Sequence, residues 1–170
     1  MASATSPSQA IELEKYKQTI LFLLKELGGS IDGKVKLAKL LYFIDFDHFE
    51  QFEASVTGDT YIAEAMGPLG ANFYQVIKAL TLEGLVARED RPQFDGLKPT
   101  MCLRLNAEPN MEVFTADEVK DIRRVAHKYG SHTGESLKHI AHKEAPFVAT
   151  PQGEEIMYPL AFYRGTAFAE

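Results

Sequence analysis

The chain has 170 residues, 45% of them hydrophobic and 25% charged, which supplies the apolar material for one core in a single domain. Its one cysteine, Cys102, excludes an internal disulfide and a cysteine-built zinc site. The formal charge of -6 is unevenly spread: from Leu41 to Val76 there is no Lys or Arg, but there are Asp45, Asp47, Glu50, Glu53, Asp59 and Glu64, a run that repels phosphate and attracts cationic partners.

Residues 1–10 are small and polar and are expected to form a disordered lead-in, with the folded domain over 11–165. No apolar run reaches the roughly 18 residues of a membrane span, and the start lacks a basic region followed by an apolar stretch. A cytoplasmic location is the expectation. Leu13, Tyr16, Ile20, Leu23, Leu24 and Leu27 predict a helix from about 11 to 27, stopped by Gly28-Gly29. Ser30 or Asp32 is placed to cap a second helix over 34–52. Leu37, Leu40, Leu41, Ile44 and His48 line one face of it, and Tyr42, Phe43, Phe46 and Phe49 cover most of the rest. Such a helix belongs at the centre of a fold.

A turn at Thr57-Gly58-Asp59 leads to a strand near Tyr61. Gly67-Pro68 then reads as an abrupt corner into a helix over 69–83, since Pro suits a first helical turn, and Gly84 is placed for its cap. Residues 85–90 and 100–106 read as a β-hairpin. Thr115 with Glu118 makes a capping box for a helix reaching Tyr129, Thr133 caps another through His139, and Thr150-Pro151 starts a last segment. The fold class is therefore α+β: a mostly helical single domain with a small antiparallel sheet and a winged-helix-like order of elements.

Several residues invite chemistry. Asp45, Asp47 and His48 could form an acid–histidine pair for general base work, but no nucleophile elbow or phosphate loop accompanies them. Asp45 is instead read as a hydrogen-bonding anchor for the corner. His139 and His142 lie three apart, yet no third metal ligand is near, and His142 is read as satisfying backbone groups in a turn. No catalytic residue, metal or cofactor is assigned. The helix before the hairpin offers only Lys78 as a cation, and acids offset the basic residues of the hairpin, which argues against nucleic acid.

Residues 39–80 resemble the Panacea domain, the SocA-like antitoxin family, through Lys39, Leu40, Leu41, Tyr42, Phe43 and Asp45, then Tyr61, Ala63, Gly67 and Pro68. A second block matches at Leu137, His142, Lys143, Glu144 and Pro146, with Phe147 where Trp is usual. The resemblance implies a non-enzymatic antitoxin that neutralises a cognate protein toxin by direct contact, or an adaptor that delivers the toxin to a cytoplasmic protease. A transcriptional regulator and a small hydrolase are the remaining alternatives. The residues expected to meet a basic toxin are Asp47, Glu50, Phe52, Tyr61, Glu64, Asn72 and Tyr74, with Asp45, Gly67, Pro68 and His142 shaping the platform. Oligomeric state is left open.

Overall fold

A computed structural model describes residues 12–94 and 96–168; the expected lead-in lies outside them. Helix α1 (Leu13–Glu26) ends as the paired glycines predict, in a Schellman motif. Gly28 N bonds Lys25 O at 3.1 Å and Gly29 N bonds Leu24 O at 2.8 Å. Ser30 and Asp32 do not cap the next helix. They bound a three-residue strand, β1 (Ser30–Asp32), and the N-cap of α2 (Lys34–Phe52) is Gly33, with no side-chain cap bond. Helix α2 is buried without interruption from Leu37 to His48, as its all-round apolar surface requires. Everything else is built around it.

After α2 the chain makes a hairpin. Strand β2 (Tyr61–Glu64) turns through Ala65-Met66 into β3 (Gly67–Gly70), with Ala63 opposite Pro68. The predicted strand-to-helix corner at Gly67-Pro68 is thus a strand-to-strand turn. Helix α3 (Phe73–Leu82) starts about four residues later than the expected 69 and buries Phe73, Val76, Ile77 and Leu80, while Leu69 belongs to β3. Pro68 is tolerated because β3 lies at a sheet edge, where a missing N–H breaks no ladder. Gly84 and Leu85 close α3 with bonds to Thr81 O and Leu80 O, a second Schellman motif.

Strands β4 (Val86–Arg91) and β5 (Thr100–Leu105) form the expected hairpin, and β1 joins it to give the antiparallel order β1-β5-β4. With α1, α2 and α3 this is the winged-helix order, interrupted between α2 and α3 by the β2–β3 hairpin. On the wing, Arg88 pairs with Asp90 at 3.1 Å and Arg91 with Asp32 at 3.6 Å, so acids offset these two of its cations.

Helix α4 (Ala116–Tyr129) opens with the predicted Thr115–Glu118 capping box. Thr133 caps α5 (Gly134–His142), which runs past the expected His139 to include His142. Ala145-Pro146 opens a single further turn, α6 (Ala145–Val148). Thr150 caps no helix: its hydroxyl donates to Pro146 O at 2.7 Å, closing α6. The chain then adds β6 (Glu155–Ile156) beside β2 and ends in a 3-10 helix (Tyr158–Tyr163) that lies on α2. The α+β, mostly helical reading holds, with two small antiparallel sheets. Among the described residues no helix is long and apolar enough to cross a membrane.

Candidate functional site

Three of the six acids in the segment 45–64 are interior, which corrects the expected acidic face. Asp45 is fully buried in α2. One of its oxygens accepts from Val56 N and Thr57 N, both at 2.8 Å, and the other from Tyr61 OH at 2.6 Å and from the Thr57 hydroxyl. Burial pushes its carboxyl above the ordinary value, and these four donors oppose the rise. Asp45 therefore anchors the loop between α2 and β2, and not the turn at Gly67-Pro68.

Asp47 is also withdrawn from solvent, at 4% exposure. It faces the side chain of Arg164, Oδ1 to Nη1 2.8 Å. Arg164 Nε donates to Glu144 at 3.1 Å, and Tyr42 OH donates to the same Glu144 oxygen at 2.9 Å. Burial disfavours the guanidinium, but Glu144, Tyr42 and Asp47 together hold it protonated. His48 pairs with neither acid of its own helix. Its Nδ1 lies 2.7 Å from Asp121 of α4, which also meets Arg124 at 2.6 Å. Burial raises the Asp121 carboxyl, but His48, Gln51 and Arg124 outweigh it and leave it below the ordinary range. The acid–histidine pair is a tie between helices. Nothing in the sequence signals it, because its members are 73 residues apart.

Asp59 does what was expected of Asp45. It is buried, and its carboxylate accepts from Tyr16 OH at 2.8 Å, Thr60 N at 2.8 Å and Asn72 Nδ2 at 2.9 Å, while its carbonyl accepts from Tyr158 OH at 2.6 Å. It thereby fixes the true junction between β3 and α3. At the other end of the hairpin, Lys39 Nζ donates to Pro68 O at 2.8 Å. Gly67 has a φ of +103°, which favours glycine, and a Cβ there would lie 2.6 Å from Lys39 Cε and displace the end of that side chain. His142 stacks on Phe147, ring centroids 4.3 Å apart, and among the described residues it satisfies no backbone group and its buried Nε2 has no partner.

Of the residues expected at a docking surface, Asp47 and Tyr61 are inside, and Asn72 is bound to Asp59. Glu50 is half-buried beside Arg164, and Phe52 is exposed at the C-terminal end of α2 next to His48. Glu64 and Tyr74 meet elsewhere. Together with Lys34, Ala38, Met66, Leu69 and Phe73 they line a cleft of about 260 Å³ between the β2–β3 hairpin, α2 and α3. Met66 is 48% exposed and Tyr74 51%, and Lys34 Nζ lies 5.8 Å from the centre of the Tyr74 ring. Sequence reasoning missed Met66 because its exposure depends on the hairpin turn. Among the described residues no group of three His, Cys, Asp or Glu is placed to hold a metal ion.

The two sequence blocks that looked alike to one family, near residues 39–68 and 137–147, meet in space. Tyr42 touches Glu144, and Gly67 faces both Lys39 and His142. Residues 37–147, well over half of the chain, match the SocA-like antitoxin family, Panacea domain. The chain belongs to that family. Comparison with curated proteins and with solved structures finds no match. Family membership supports an antitoxin-type, non-enzymatic role for this Panacea domain and implies a protein toxin as partner in general terms. Helix α1, β1, β6 and the last 3-10 helix lie outside the matched span, yet Tyr16, Ile20, Ile31 and Ile156 contribute to the same core.

Proposed function

We propose that this Panacea domain is the antitoxin of a toxin–antitoxin pair, and that it neutralises a cognate protein toxin by docking it on the β2–β3 hairpin and the start of α3. The family match carries the reading, and the hairpin supplies the place. Met66 and Tyr74 stand out from elements that Lys39 and Asp59 fix from below, with Glu64 and Lys34 at the rim. Exposed apolar anchors on a rigid floor, ringed by charge, suit a protein partner. Neutralisation then requires only that the docked surface of the toxin be covered.

The test is co-expression with the protein encoded by the neighbouring gene. Growth arrest by that protein alone, growth restored by this chain, and a complex that survives purification are the expected results. A toxin that disappears only in cells with an active cytoplasmic protease marks delivery to that protease instead. No rescue by this chain removes the antitoxin reading.

A further inference from the structure

The floor of the hairpin cleft holds a cation without an anion. Lys39 is 2% exposed, and among the described residues its Nζ makes one hydrogen bond, to Pro68 O, and no ion pair. An ammonium carries three N–H donors, so two of them face no acceptor. Close by, His142 Nε2 is buried and unpartnered among the same residues. Lys39 Nζ and His142 Cδ2, the ring atom next to that nitrogen, lie 3.2 and 3.4 Å from the point where a Gly67 Cβ would sit. Lys39 lines the cleft and His142 does not, and the missing Cβ of Gly67 leaves the end of the lysine its place.

Among the described residues, several other buried charges do have charged partners: Lys17 meets Glu14 and Glu83. Arg164 meets Asp47 and Glu144, and Asp121 meets His48 and Arg124. The charged groups that bear on Lys39 and His142 from the facing helix α5 are Lys138, His139 and Glu135, and Glu64 lines the same cleft; both carboxylates are exposed. Burial, with Lys138, lowers the Lys39 amine from its usual value to about 8, so it is still mainly charged near neutral pH. Burial and the same cations lower His142, which leaves a neutral ring.

The walls are apolar: Val35, Ala38, Met66, Leu69 and Phe73. The volume of about 260 Å³ equals roughly nine waters at about 30 Å³ each. That space suits a carboxylate with a few carbons and is too small for a nucleotide. A phosphate dianion needs more donors than one ammonium supplies. We propose that the cleft binds a carboxylate bearing a short apolar group, which pairs with the Lys39 ammonium and packs its apolar part on Leu69, Phe73 and Met66. The same chemistry is offered by a free small acid and by the C-terminal residue of a polypeptide. The site stands independently of the antitoxin reading, since its test needs no toxin.

The experiment follows the Lys39 side-chain amine and the His142 ring of the full chain by NMR during titration. The probes are hexanoate, the peptide acetyl-Ala-Leu with a free carboxylate, and the same peptide as its amide. The expected result is a saturable rise in the Lys39 pKa with an acid and none with the amide. Tighter binding of the peptide acid, by about tenfold or more, assigns the site to a chain terminus, and the reverse order assigns it to a small acid. Lys39→Met should abolish binding of either acid, followed at the His142 ring. The decisive signal is read on the unaltered chain, so misfolding of a variant does not blunt the test. If neither acid moves Lys39 at millimolar concentration, or if the amide binds as well as the acid, the proposal is overturned.

Discussion

Arg164, just past the last 3-10 helix, reaches Asp47 in the middle of α2, with Nη1 2.8 Å from Oδ1 and its side chain only 1% exposed. Glu144 and the Tyr42 ring complete its surroundings. The C-terminal segment is thus pinned to the central helix by a buried charge. Removing Arg164 leaves Glu144 with the Tyr42 hydroxyl and Asp47 with Arg124 at 3.8 Å, an excess of buried negative charge that costs about 3–5 kcal/mol. Arg164→Ala is expected to destabilise the fold by that amount in urea titrations. Adding Asp47→Leu should recover part of the loss, because one stranded carboxylate is then gone.

Lys39 works in the opposite sense. Its amine is lowered from 10.5 to about 8, chiefly by burial. Between those values the unfolded chain binds more protons than the folded one, so stability rises as pH increases through this window. Below about pH 8 the buried charge costs on the order of 3 kcal/mol, against about 1 kcal/mol gained from the bond to Pro68. Lys39→Met is therefore expected to be more stable than the natural chain by about 2 kcal/mol near pH 7. That advantage should shrink between about pH 8 and 9.5, before the tyrosines titrate. Denaturation midpoints of both chains across this range check it. Equal pH profiles would mean that Lys39 is not desolvated.

Asp59 and Gly70 hold the junction between β3 and α3. A Cβ at Gly70 would collide with the Asp59 carboxylate, so Gly70→Ala should displace the acid and free Asn72. Asp59→Ala removes the acceptor for Tyr16, Thr60 and Asn72, at about 1–3 kcal/mol for each donor left buried and unsatisfied. Hydrogen exchange is the sharper measurement. Both variants should lose protection at the Thr60 and Asn72 amides while the α4 amides change little.

What the sequence revealed, and what it concealed, divides by the range of the interaction. The unbroken burial of α2 was legible because it depends only on residues within one helix. The Schellman glycines and the Thr115–Glu118 box were legible because each closes within six residues. Strand β1 was not. Three residues carry no period, and their partners in β5 lie about 70 positions away. Gly67-Pro68 misled because Pro is equally at home in a first helical turn and on an edge strand, and pairing with Ala63 decides between them. The acids misled for a related reason. A run of carboxylates reads as a solvated face until Thr57, Arg164 and Asn72, none of them near in helical register, prove to be their partners.

The docking surface yields the last prediction. Met66→Glu and Tyr74→Ala alter side chains that are about half exposed, so neither should change stability by more than about 0.5 kcal/mol. Each should weaken binding of the cognate toxin by about tenfold or more, because central apolar anchors dominate such interfaces. Phe52→Ala and Glu50→Lys, at the far end of α2, should leave affinity within about twofold. Interferometry or calorimetry with the purified toxin separates the two faces. The reverse pattern would move the interface to the end of α2, where Phe52, Glu53 and the exposed Phe162 and Tyr163 form the competing surface. That outcome would also part the toxin from the carboxylate cleft, since Lys39 and His142 lie beneath the hairpin and not beneath Phe52.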